Sequence, residues 1–108
     1  MICPILLAAA LSTPVFTDAA SVRAAAIREL EQTNEVRLAG QVVANYFRKG
    51  MNIKSVLVKD ATGGVCVRVD SNQAYRVGDC VRIAGSACFV PYVGNIVQAR
   101  RFDVVRHG

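Results

Sequence analysis

At Glu35 the hydrophobic period of the chain changes, and that change limits what it can fold into. From there onward apolar residues recur at every second position, in runs separated by short polar or glycine-bearing stretches. A period of two marks strands with one buried face, and several such runs in succession predict a small all-β domain. In EVRLAGQVVANYF, residues 35–47, Val36, Leu38, Gly40, Val42 and Ala44 fall on one face, and Arg37, Gln41 and Asn45 on the other. IKSVLVKD (53–60), VCVRVD (65–70), CVRIAGSACFV (80–90) and IVQARRFDVV (96–105) predict four more strands. Gly40 and Gly85 fall in mid-strand, where a sheet curling into a barrel needs a bend. RKGMN (48–52), SNQAYRVGD (71–79) and PYVGN (91–95) read as connections.

The most patterned stretch is VLVKDATGGVCVRV, residues 56–69, two valine-rich arms around a turn. Its residue types are those of a structural corner. Asp60 is expected to accept hydrogen bonds from backbone N–H groups of the turn. Gly63 and Gly64 suit the turn and the close pairing of the two arms. The VGD turn, with Gly78 and Asp79, reads the same way.

Before Glu35 the period is helical. In AASVRAAAIRELEQ, Val22, Ala26, Ile27 and Leu30 recur at helical spacing, with Asp18 or Ser21 as the cap and Thr33 and Asn34 as the end. One helix over residues 20–34 is expected. The first sixteen residues, MICPILLAAALSTPVF, are apolar and uncharged. They are too short for comfort as a bilayer span, which takes about 20 apolar residues, so no stable membrane span is expected. With the small residues of FTDAAS they read as a signal peptide, residues 1–19, and place the protein in the periplasm or outside the cell. No basic residue precedes the apolar run. A misplaced start, an uncleaved anchor, a buried strand and a cytoplasmic location remain open.

The 108 residues suffice for one domain, with 53% hydrophobic residues to fill its core. Thirteen basic residues against eight acidic give a net charge of +5, which suits a polyanion partner. Four cysteines, Cys3, Cys66, Cys80 and Cys88, occur without a CxxC motif or a Cys/His cluster, so no metal site is expected. One disulfide with a free thiol, or thiols throughout, both fit. Catalysis has little support. His107 is the only histidine, with no evident partner, and Asp60, Asp70 and Asp79 stand at strand ends or turns. Asp103 sits among basic residues and is expected to pair with Arg101 or Arg106. No phosphate loop or dinucleotide fingerprint occurs. A non-enzymatic protein without a cofactor is expected.

VRLAGQVV, then VLVKDATGGVCVRV, then YRVGDCVRIAGSACF, together resemble the OB-fold over residues 35–105. The resemblance implies a five-stranded Greek-key β-barrel over 35–108 behind one short N-terminal helix. It extends to small periplasmic bacterial OB-fold proteins and, through SVRAAAIRELEQTNEVRLAGQVV, to the extracytoplasmic OB-like segment of some sensor histidine kinases. SNQAYRV is too short for the helix that many OB-folds carry between strands three and four. OB-folds bind on the outer face of strands two and three, walled by the loops after strands one and four. The resemblance places Lys54, Leu57, Lys59 and Arg68 on that face. It brings Tyr46, Phe47, Arg48 and Lys49 from the first loop, and Phe89, Tyr92 and Asn95 from the second. Two functions follow. One is an exported, non-catalytic module for a ligand or protein partner, with a sensory role in view. The other is a single-stranded nucleic-acid-binding domain, or one for another polyanion, using this basic aromatic face. Core filling by Tyr46, Phe89 and Tyr92 is the structural alternative.

Overall fold

The computed structural model describes residues 15–47, 53–70 and 72–108. Its strands are β1 (Glu35–Phe47), β2 (Ile53–Asp60), β3 (Gly63–Asp70), β4 (Cys80–Val90) and β5 (Gly94–Arg106). They close a barrel in the order β1-β2-β3-β5-β4, antiparallel except for the short parallel pairing of β3 with β5. β-Branched residues dominate the inward rows: Val56, Val58, Val65, Val67, Val69, Val81, Ile83 and Val97 are all buried. Such side chains lose little rotamer freedom in a strand, and each buried valine contributes about 1.5 kcal/mol.

Three local features shape the barrel. At Gly40, β1 passes from β4 to β2, and a Cβ there would lie 2.7 Å from the Lys59 carbonyl oxygen. Val43 is an extra residue in the β1–β2 ladder, since Val42 pairs with Val58 and Ala44 with Leu57. This bulge reverses the faces beyond it: Asn45 pairs with inward Val56, whereas the unbroken alternation put Ala44 inward and Asn45 outward. A third irregularity lies opposite Gly85, where a Cβ would overlap the carbonyl oxygen of Gln98.

The barrel ends are closed by different means. At the β2–β3 turn the cover is two short helices, α1 (Ala19–Ala24) and α2 (Ile27–Gln32), in place of the single expected helix. Ala25 and Ala26 take extended backbone angles between them. The break has a packing cause. It lets the chain turn across the barrel end, so that Ala19, Val22 and Leu30 all join the core, while Ile27 stays 52% exposed. Asp18 caps α1 by accepting from Ser21 N–H at 2.7 Å. Upstream, Phe16 pairs with Val36 of β1 and packs against the core. At the opposite end Tyr75, from a β3–β4 connection without a helix among the described residues, packs its ring at a tilt against Phe102 and hydrogen-bonds Asn45.

Asp60 ties the two regions together. Its Oδ1 accepts from Thr62 N–H at 2.8 Å, as the turn chemistry predicts, and its Oδ2 accepts from Ala19 N–H at 2.8 Å. The corner is therefore also the dock for α1. Residues 1–14 of the expected signal peptide and the loop 48–52 lie outside the described residues, but Phe16, Asp18 and Ala19 take part in the fold. A chain starting at Ala20 loses the Phe16 bridge, the helix cap and the Asp60 dock. Relative to a chain starting at Val15, it is expected to lose about 3 kcal/mol in urea unfolding, from burial, cap and hydrogen bond together. Equal urea midpoints would remove the structural role given to these residues.

Candidate functional site

The outer face of β2–β3 is built by the residues that alternate with the valine rows. Its cross-strand rungs are Lys59 with Gly64, Leu57 with Cys66, and Ser55 with Arg68. Lys59 is exposed, and Leu57, Cys66 and Arg68 are half-buried. Lys59 and Arg68 stand at diagonal corners of an apolar centre, two rungs apart, or roughly 13 Å along the strand direction. Asp70 lies at the far edge, and no carboxylate stands between the two cations. Burial pushes the Cys66 thiol up, against a hydrogen bond with Ser55 and the Arg68 charge. Cys66, Cys80 and Cys88 are free thiols.

Lys54 is not on this face. It pairs with inward Val69, so it belongs to the interior row. Its ammonium lies 5.4 Å from the Tyr75 ring centroid and donates to the Gln73 carbonyl at 3.2 Å. The backbone of β1 pairs Tyr46 with Ser55 and Phe47 with Lys54, so both stand at the β2 edge. Arg48 and Lys49 lie outside the described residues. Tyr92 does not fill a barrel end: at φ 67° it tops the β4–β5 turn, fully exposed, and Phe89 is 43% exposed. Asn95 is occupied structurally, its amide donating to the carbonyls of Val22 and Ala25.

The charged turn residues have structural partners. Burial pushes the Asp60 carboxyl up, but hydrogen bonds from the Thr62 hydroxyl and from backbone N–H groups outweigh it and hold the pKa below the usual range. Asp79 is buried and held low in the same way by N–H groups of Arg76 and Gly108 and by His107. His107 therefore has the partner not evident from the sequence, with Nδ1 3.2 Å from Asp79 Oδ1. Arg101 pairs with Asp103 at 2.9 Å, as expected.

A second basic surface went unread in the sequence. On the outside of β1, β4 and β5, Arg37, Arg82, Arg100 and Arg101 line a groove of about 450 Å³ together with Glu35 and Asp103. Period two marks Arg37 and Arg82 as outward, but only the strand pairing brings them together. The groove and the β2–β3 face look out from opposite sides, because β4 stands across the barrel from β2 and β3.

Solved structures share this barrel. Its likeness to a chain of the S. pombe Stn1-Ten1 complex has a TM-score of 0.57 at 14% identity, over 68% of this chain and 59% of that one. The second OB-fold domain of replication protein A from Methanococcus maripaludis gives 0.56 at 21% identity, over 68% of this chain and 86% of that one. The barrel is an OB-fold. Asparaginyl-tRNA synthetase from Pyrococcus horikoshii also matches, at 0.57 and 23% identity over 68% of this chain, which spans 20% of that enzyme. No family model and no curated protein matches the sequence.

The Asp60 and Asp79 carboxylates set a pH dependence. Their folded pKa values lie below the unfolded value of about 3.9, so their stabilisation is present above that pH and is lost as pH falls through the folded values. The urea midpoint is expected to hold from neutral pH down to about pH 5 and then to fall. Asp79→Asn should lower the plateau and flatten the fall. An unchanged profile in that variant would mean that Asp79 carries none of the dependence.

Proposed function

We propose that the protein is a nucleic-acid-binding OB module, in which a single strand crosses the outer face of β2–β3. The observation that carries this reading is the arrangement of Lys59 and Arg68 around apolar Leu57, with no carboxylate between them. Two phosphates of a strand would meet the cations while the apolar centre lies under a base or sugar. Tyr46 and Phe47, at the β2 edge, are the candidates for base stacking, worth about 1–3 kcal/mol per base. A tRNA synthetase and a replication protein among the structural neighbours lean the same way. The net charge of +5 adds long-range attraction for a polyanion.

The exported recognition module draws on the apolar leader and on the resemblance to exported OB-fold proteins. Phe16, Asp18 and Ala19 contribute to the fold, which weighs against cleavage after Ala19. N-terminal sequencing of the protein from its own host decides this separate question, a start at Ala20 favouring export.

Fluorescence anisotropy of a labelled oligothymidylate with the full chain, across a salt series, tests nucleic-acid binding. Wild-type affinity is expected to fall with rising salt. Lys59→Ala/Arg68→Ala should reduce the log–log slope by about 1.4, for two lost phosphate contacts on a single strand. A slope equal to wild type would displace the strand from this face, and no binding at low salt would end the reading.

A further inference from the structure

The groove on β1, β4 and β5 is assembled from two consecutive rungs. One carries Arg37, Ala84 and Arg101 across the three strands, and the next carries Ala39, Arg82 and Asp103. The small Ala39 and Ala84 alternate with the guanidiniums, so the floor is low where the arginines rise around it. The β5 irregularity supplies a fourth guanidinium. Ala84 pairs with Arg101 and Gly85 with Ala99, which leaves Arg100 as the extra residue. Bulges redirect side chains, and this one sends Arg100 out to Glu35. Both Glu35 oxygens accept from one Arg100 nitrogen, at 2.7 and 2.8 Å, and Ser86 Oγ lies 3.2 Å from the other. Asp103 holds Arg101. Arg37 and Arg82 are exposed and have no ion-pair partner among the described residues.

Four guanidiniums thus face two carboxylates, and two of the four are held in place. A guanidinium has five N–H donors in a planar fork, so Arg100 and Arg101 keep free donors after their ion pairs form. Consecutive rungs on one face of a sheet lie roughly 6.6 Å apart along the strands, two residues at about 3.3 Å each, and neighbouring strands about 4.8 Å apart. Cations at this density match a chain of closely spaced phosphates better than a single carboxylate. The groove has no exposed aromatic or large aliphatic lining residue that would suit an apolar ligand.

We infer that this arginine groove is a second nucleic-acid contact, taking the phosphodiester backbone of a strand on the side of the barrel opposite β2–β3. The inference rests on the nucleic-acid reading for the class of ligand but on a separate set of residues for the site. Arg37 and Arg82 are the free phosphate ligands, and Arg100 and Arg101 are oriented donors beside them. No base is read here; the contact adds affinity without sequence preference. A long strand can wrap from one face to the other, whereas a short one engages a single face.

The test is the same anisotropy titration, run with short and long oligothymidylates on the full chain. Arg37→Ala/Arg82→Ala should weaken long-strand binding about tenfold at low salt and reduce the salt slope by about 1.4. Circular dichroism and the urea midpoint should match wild type, since both side chains are exposed. Arg37→Lys/Arg82→Lys keeps the charge and should retain most of the affinity. If only Lys59→Ala/Arg68→Ala weakens binding, the groove inference is overturned and the β2–β3 reading stands. If only the arginine variant weakens it, the groove stands and the β2–β3 face falls. If inorganic tripolyphosphate binds at the groove but no strand does, the inference is overturned in favour of a free polyphosphate.

Discussion

A five-stranded sheet closes into a barrel only if its strands bend from one neighbour to the other, and β1 does so at Gly40. Its first half, Glu35 to Gln41, pairs with β4, and its second half, from Gln41 onward, with β2. The turn brings the β1 backbone so close to Lys59 that no side chain fits at residue 40. Closure then produces a continuous interior of valine rows, and it leaves that interior open at both ends. Two of the described segments outside the strands answer to those openings, the one before β1 and the one between β3 and β4. α1 and α2 cover one and hang from Asp60; Tyr75 covers the other with Phe102 beneath it. The β3–β4 connection covers its own end with the Tyr75 ring, and the N-terminal segment covers the other.

Strand positions were legible because period two survives any choice of partner. β1, β2 and β4 span the segments that the alternation marks, and β3 and β5 begin two residues earlier than expected. The helix break was not legible. Alanine-rich sequence favours an unbroken helix, and only the curvature of the barrel end makes the extended Ala25 and Ala26 worth their lost helical bonds. The Val43 bulge was hidden for a similar reason: Val42 and Val43 are equally apolar, and the ladder with β2 decides which of them turns outward. Lys54 shows the limit of a face argument. It is in phase with Val56 and Val58, so alternation alone assigned it inward; expecting it on the ligand face ignored that phase.

The candidate faces divide along the same line. Lys59, Leu57 and Arg68 were readable once β2 and β3 were taken as a hairpin, because a tight turn dictates their register. The arginine groove needed β1, β4 and β5 to be neighbours, which depends on contacts far apart in the chain. Its fourth guanidinium depends on the bulge opposite Gly85. The mid-strand glycine was visible in the sequence as a bend, but its consequence for Arg100 was not.

The carboxylates explain how a modest net charge becomes a pair of cationic surfaces. Asp60 and Asp79 accept from backbone N–H groups, so their negative charge is spent inside turns. Glu35 and Asp103 do face the groove, but each is bound to one arginine. Exposed or partly exposed ion pairs of this kind contribute little to stability, typically under about 1 kcal/mol. Orientation is what they add: Glu35 fixes Arg100 while leaving it free donors. On the two candidate surfaces the field is therefore carried by cations without such partners, Arg37 and Arg82 on one side and Lys59 and Arg68 on the other. The barrel uses its acids to hold its turns and aim its arginines, and a basic exterior follows from that use.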